Sequence, residues 1–174
     1  MQERPYASDT GAPLLPVLGW KEQASLPGWG ISRLRVKLDT GARSSALHVS
    51  DLQVIGVHMR DGQRLPVLRF AVILGRGHRA RRRVVTAGAI GFRTVRDTSA
   101  KGERRPVVRT RVVCGPLDRV AEVSITDRTG MNFRMILGRS ALQGACLVDP
   151  EHGYRVSAAP PRPRASREPV GRRT

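Results

Sequence analysis

Acidic residues and aromatic rings are both scarce in this chain. Aspartate and glutamate number 14 against 31 lysines and arginines, a formal charge of +17 over 174 residues. That imbalance points to an anionic partner: nucleic acid, an acidic peptide or a lipid surface. The plainer alternative is an arginine-rich, solvated face. Aromatic residues make up 4% of the chain, so aliphatic side chains must fill its interior. Little aromatic interleaving accompanies the arginines, which weighs against base stacking on single strands. No run of about 18 apolar residues exists, so no membrane span is expected. The start, Met1-Gln2-Glu3-Arg4-Pro5, lacks the apolar core of a signal peptide, and a cytoplasmic location is expected. Only two cysteines occur, Cys114 and Cys146, both in apolar surroundings. They read as buried free thiols rather than a disulfide. No H-E-x-x-H is present, and His48, His58, His78 and His152 have no ligand spacing, so no metal is expected. No G-x-x-x-x-G-K-[ST] phosphate loop is present either.

One domain is the expectation for this length, with enough chain for a real core. Residues 1–16 are polar and proline-rich and read as a flexible N-terminal segment. Residues 17–156 read as the domain, and 157–174, a mixture of proline and arginine, as a disordered basic tail. That tail carries five arginines and Glu168, a charge of +4, which leaves +13 on the rest.

The rest reads as short strands separated by turn residues. Leu52 to Met59 is one, turned by Arg60-Asp61-Gly62. Leu65 to Leu74 follows, with Leu68, Phe70, Val72 and Leu74 on one face, and Arg81 to Thr86 returns as a hairpin. Val107 to Val113 and Arg119 to Ile125 form a pair around Gly115-Pro116. Phe133 to Leu137 is another strand, Ser140 to Gln143 allows one short helix, and Ala145 to Val148 and Gly153 to Val156 close the domain. The expected class is all-β, a small barrel or sandwich.

The centre of the chain is Leu34 to His48. Leu34, Val36 and Leu38 alternate with Arg35 and Lys37, the period of a strand with one buried face. It runs into Asp39-Thr40-Gly41-Ala42. Asp39 offers a carboxylate to hold a water, Thr40 a small hydroxyl to fix that carboxylate, and Gly41 close backbone approach. About a hundred residues on comes Met135-Ile136-Leu137-Gly138-Arg139. Ile136, Leu137 and Gly138 are expected to pack beneath the turn. A second Asp-Thr-Gly-Ala, at Asp9 to Ala12, follows no apolar strand and reads as a chance match.

An Asp-Thr-Gly after an apolar strand, with a later Ile-Leu-Gly-Arg, resembles the retropepsins. Further blocks extend the likeness over roughly 17–156: Val17-Leu18-Gly19-Trp20, Leu26-Pro27, Asp39 to His48, Arg93-Thr94-Val95-Arg96, Arg104 to Val108, Thr129-Gly130-Met131 and Leu147-Val148-Asp149-Pro150. Together they are similar to a bacterial family commonly labelled ATP-dependent zinc proteases. Some of its members are fused to, or encoded beside, ATP-grasp ligases that add glutamates to a ribosomal protein.

The resemblance implies a retropepsin-like closed barrel with one short helix. It implies an aspartic peptidase working as a homodimer, with Asp39, Thr40 and Gly41 from each chain at the catalytic turn. The aspartic mechanism needs two carboxylates sharing a proton, and this chain is too short to carry two lobes. The label names zinc and ATP, but the residues supply neither motif, so no cofactor is expected. A flap is expected between Arg93 and Arg109, its tip at Asp97 to Gly102; an ordinary surface hairpin is the alternative. Ala42, Arg43, Arg93, Arg96 and Arg105 are the candidate substrate-binding residues. In viral retropepsins the arginine equivalent to Arg139 pairs with an aspartate where this chain has Arg43, so Arg139 is expected to lack that partner. His48 reads as a half-exposed structural histidine or a residue lining the site. The charge then suggests an acidic peptide or a glutamylated protein terminus as substrate. The alternatives are a non-catalytic basic binding module on the same fold and a nucleic-acid binder, Arg76, Arg79, Arg81, Arg82 and Arg83 being candidate phosphate contacts.

Overall fold

A computed structural model describes residues 14–75, 78, 80–96, 102–126 and 132–159, apart from the side chain of Arg96. The Asp9 copy of the motif, Arg76, Arg79, residues 97–101 of the expected flap tip, Thr129-Gly130-Met131 and residues 160–174 lie outside them.

Among the described residues twelve strands and one short α-helix follow in order, with a 3-10 turn at Pro27–Trp29. They are β1 (Val17–Gly19), β2 (Lys21–Leu26), β3 (Ile31–Asp39), β4 (Ser45–His48), β5 (Ser50–Arg60), β6 (Gln63–Leu74), β7 (Arg81–Gly88), β8 (Gly91–Arg96), β9 (Gly102–Cys114), β10 (Leu117–Thr126), β11 (Met135–Gly138), α1 (Arg139–Leu142) and β12 (Leu147–Asp149). The main sheet runs β10-β4-β11-β3-β2-β9, and pairing of β9 with β10 closes it into a six-stranded barrel. Closure leaves these strands no open edge. β8 hangs on the outer side of β9 as a hairpin arm. β5, β6 and β7 form a separate three-stranded sheet, and β1 pairs with β12.

Alternation decides what faces inward. On β3, Leu34, Val36 and Leu38 are buried while Arg35 and Lys37 stay part-exposed, as the period of two predicts. Leu68, Phe70 and Val72 of β6 enter the same core, and the edge of Trp29 meets the Phe70 ring at 5.6 Å between centroids. Cys114 and Cys146 are buried free thiols. Burial first, then the nearby Glu22 and Cys146, pushes the Cys114 thiol up to about 12.

One expectation about the chain's path is corrected. Gly153 to Val156 forms bends, not a strand. Tyr154 there has φ 60°, in the left-handed region rather than the extended one. The segment is held by Glu22, a fully buried carboxylate on β2. Glu22 accepts from the amides of Gly19 (2.8 Å), Arg155 (2.8 Å) and Val156 (3.3 Å) and from the Ser157 hydroxyl. The same residue hides β2 from sequence reading: its side chain occupies an inward position where alternation demands an apolar one.

Candidate active site

The site is built by an insertion. The chain leaves β3 at Asp39, turns, and returns as β4, but β3 and β4 are not neighbours. β11 lies between them, parallel to β3 and antiparallel to β4. The register pairs Leu137 with Leu38 and Gly138 with Asp39. Arg139 N then donates to Ala42 O (2.9 Å), Ser140 N to Arg43 O (3.0 Å) and Gly138 N to the Ser45 hydroxyl (3.2 Å). Ile136, Leu137 and Gly138 thus underlie the turn, as their apolar-apolar-glycine order implied. The glycine is required by space: its φ is −85°, but a β-carbon would stand 2.5 Å from the Ser44 carbonyl carbon.

Asp39 ends β3 with a quarter of its side chain exposed. Oδ1 accepts from the amides of Gly41 (3.2 Å) and Ala42 (3.3 Å), and Oδ2 lies 3.1 Å from Lys37 Nζ. Desolvation works to raise its pKa. The hydrogen bond and charge of Lys37 and the two amides outweigh it and hold the carboxyl below its ordinary value. The Thr40 side chain is exposed and makes no hydrogen bond among the described residues, so the amides and Lys37, rather than this hydroxyl, fix the carboxylate. Sequence reading passed over Lys37, although the period of two places it on the face of Asp39. Among the described residues Arg139 has no acidic partner; its Nη1 donates to Thr40 O and Gly41 O, each at 2.9 Å. The guanidinium clamps the outside of the turn where a carboxylate pair was missing. His48 is 6% exposed, more buried than the half-exposed position expected of it.

Beside the turn a cleft of about 660 Å³ runs under the β8–β9 hairpin. Ala42, Arg43, Arg93 and Arg105 line it, four of the five residues read as substrate-binding. Asp39 itself does not; the cleft starts one step further along the turn, at Ala42. Arg93 and Arg105 are cross-strand neighbours on one face of the hairpin. Arg104 points the other way, its guanidinium 4.0 Å from the centre of the Phe92 ring. Ile136 also lines the cleft, as do hydroxyl residues not read as site residues from the sequence, Ser124, Thr126 and Ser140 among them. No motif marks them: they belong to β10 and α1 and meet the turn only in three dimensions. Among the described residues no three His, Cys, Asp or Glu side chains gather into a possible metal site.

The family model described as RimB-like, retropepsin-like aspartic endopeptidase RimB, matches residues 17–157. The chain belongs to this family. Among the relatives it matches, a "Probable alpha-L-glutamate ligase" of Parasynechococcus marenigrum (strain WH8102) is 33% identical over 140 residues, 80% of this chain and 29% of that protein. One of the same name from Desulfotalea psychrophila is 28% identical over 137 residues, 77% of this chain and 28% of its own. The chain therefore spans less than a third of these relatives' length. A solved structure, the protein Lpg0085 of unknown function from Legionella pneumophila, superposes with a TM-score of 0.64 at 26% identity. It covers 82% of this chain and 98% of its own. The fold of most of this chain is thus shared with nearly the whole of that protein. No helix among the described residues is long and apolar enough to cross a membrane.

Proposed function

We propose that this chain is a cytoplasmic aspartic endopeptidase that works as a homodimer, each protomer contributing Asp39, and that it cuts peptide or isopeptide bonds in glutamate-rich substrates. One observation carries the reading: a part-exposed carboxylate at the end of β3, held by two backbone amides over β11, next to an arginine-lined cleft. One protomer supplies a single such carboxylate, and the chemistry needs two. A second copy would bring the other. In the dyad one carboxylate takes a proton from water as its oxygen adds to the substrate carbonyl carbon. The other gives its proton to the carbonyl oxygen. The tetrahedral intermediate then collapses, the carbon–nitrogen bond breaks, and the amine leaves with a proton.

The +13 of the body and the arginines at the cleft favour an acidic substrate over a neutral one. The relatives named as glutamate ligases support a glutamate-bearing substrate and a functional link to an ATP-grasp ligase. A second reading, a non-catalytic basic module for acidic peptides or nucleic acid, draws on the same charge and on the single carboxylate per chain.

Asp39→Asn separates the two. It is isosteric but cannot share the proton, so it should abolish cleavage of glutamate-rich peptides while leaving fold and dimer intact. Chelators should leave cleavage unchanged. Retained cleavage in Asp39→Asn, or activity lost to a chelator and restored by zinc, would falsify the aspartic mechanism. No cleavage at any pH from about 4 to 8, with nucleic acid bound more tightly than poly-glutamate, would favour the binding module.

A further inference from the structure

Among the described residues three buried side-chain atoms have no hydrogen-bond partner: Arg93 Nη1, Ser124 Oγ and Thr126 Oγ1. All three residues line the cleft beside the Asp39 turn. Each such atom is costly, at about 1–3 kcal/mol, so proteins seldom keep them without a use. Three together at one wall are a standing demand for a polar group from outside.

The sheet register explains their convergence. Arg93 on β8 pairs with Arg105 on β9. Val107, two residues along β9 on the same face, pairs with Ser124 on β10. One more step of two residues brings Thr126 level with Arg105. A row of Arg93, Arg105 and Thr126, with Ser124 beside it, therefore faces one side. Arg105, Ser124 and Thr126 are 5%, 1% and 2% exposed. Each arginine already holds an acid: Arg93 Nη2 lies 3.4 Å from Glu122, and Arg105 bonds Glu103. Those contacts orient the guanidiniums and leave other N–H groups for the cleft. Among the described residues no acidic side chain lines the cleft, and Arg43, which does line it, has no side-chain partner.

We propose that this wall is a carboxylate subsite: Arg93 and Arg105 supply the charge, and the Ser124 and Thr126 hydroxyls donate to the acidic side chain of one substrate residue. Charge-assisted bonds of this kind are the strong ones, and a neutral amide in the same place forgoes them. The subsite deepens the peptidase reading by naming what selects the substrate, and it rests on that reading for the substrate being a peptide.

Binding to the inactive Asp39→Asn full chain keeps the two ideas apart. Fluorescein-labelled hexaglutamate and hexaglutamine would be titrated by anisotropy at one fixed salt concentration. Hexaglutamate should bind at least about tenfold more tightly. Adding Ser124→Ala and Thr126→Val should weaken hexaglutamate by about tenfold and leave hexaglutamine unchanged. Since these changes delete orphan hydroxyls, the melting temperature should hold or rise, which a purely structural role would not give. Arg93→Gln should also cut the preference. Equal binding of the two peptides, or unaltered hexaglutamate affinity in the Ser124/Thr126 variant, overturns the subsite even if the parent enzyme cuts peptides. The preference without any cleavage by the parent keeps the subsite and removes the peptidase reading.

Discussion

Lys37 Nζ lies 3.1 Å from Asp39 Oδ2, two residues away on one face of one strand. The ammonium and the turn amides make the carboxyl a stronger acid than its ordinary value of 3.8. In a dimer the pair of aspartates would titrate together, so Lys37 acts on both apparent pKa values.

Lys37→Met should therefore move the whole bell-shaped profile of kcat/KM to higher pH. The Asp39 carboxyl resonance, followed by NMR, should titrate higher in the variant even without substrate. The stability sign follows. A depressed folded pKa gives stability that is present above 3.8 and lost as pH falls through the lower folded value. The variant should weaken that acid-side dependence, leaving the part due to the two amides. An unmoved profile with an unmoved Asp39 resonance would mean the lysine is only a surface charge.

Gly138→Ala tests the insertion of β11. The added methyl meets Ser44 backbone, 2.5 Å from its carbonyl carbon, and backbone has no rotamer to yield. Urea unfolding should show a loss of about 2–3 kcal/mol. A neutral result would show that the turn can lift away from β11.

Arg139→Gln tests the clamp on the turn. Two donations, to Thr40 O and Gly41 O, disappear with the guanidinium. Because Arg139 is exposed, the expected cost is only about 1 kcal/mol. Hydrogen exchange at the Gly41 and Ala42 amides should become faster, with the distant β9–β10 amides unaffected.

Glu22→Ala tests the buried carboxylate. The amides of Gly19, Arg155 and Val156 and the Ser157 hydroxyl lose one acceptor together. Unfolding by urea should reveal a loss of about 3–5 kcal/mol, and limited proteolysis should cut first near residues 153–157. Glu22→Gln, which keeps one acceptor oxygen, should fall between the two.

Much of this arrangement is legible one strand at a time. The alternation at Leu34 to Leu38, the hairpin turn at Asp61-Gly62 and the pair around Gly115 are local, and neighbouring residues suffice to specify them. Where reading failed, a distant residue had overridden the local pattern. Glu22 sits inside because chain more than 130 residues away wraps its carboxylate. Gly153 to Val156 is irregular because the Arg155 and Val156 amides bond that carboxylate, while Tyr154 N alone donates to the backbone of β2, at Lys21 O.

The sequence by itself determined the strand before Asp39, the small-residue turn and the apolar-apolar-glycine block, because each is written in consecutive residues. Only the tertiary structure decided that β11 slides between β3 and β4 and that Arg139 grips the carbonyls of Thr40 and Gly41. It alone brought the hydroxyls of Ser124 and Thr126 to the wall of Arg93 and Arg105. Those relations join residues up to about a hundred positions apart. They are fixed by register and barrel closure, which no local run of residues encodes.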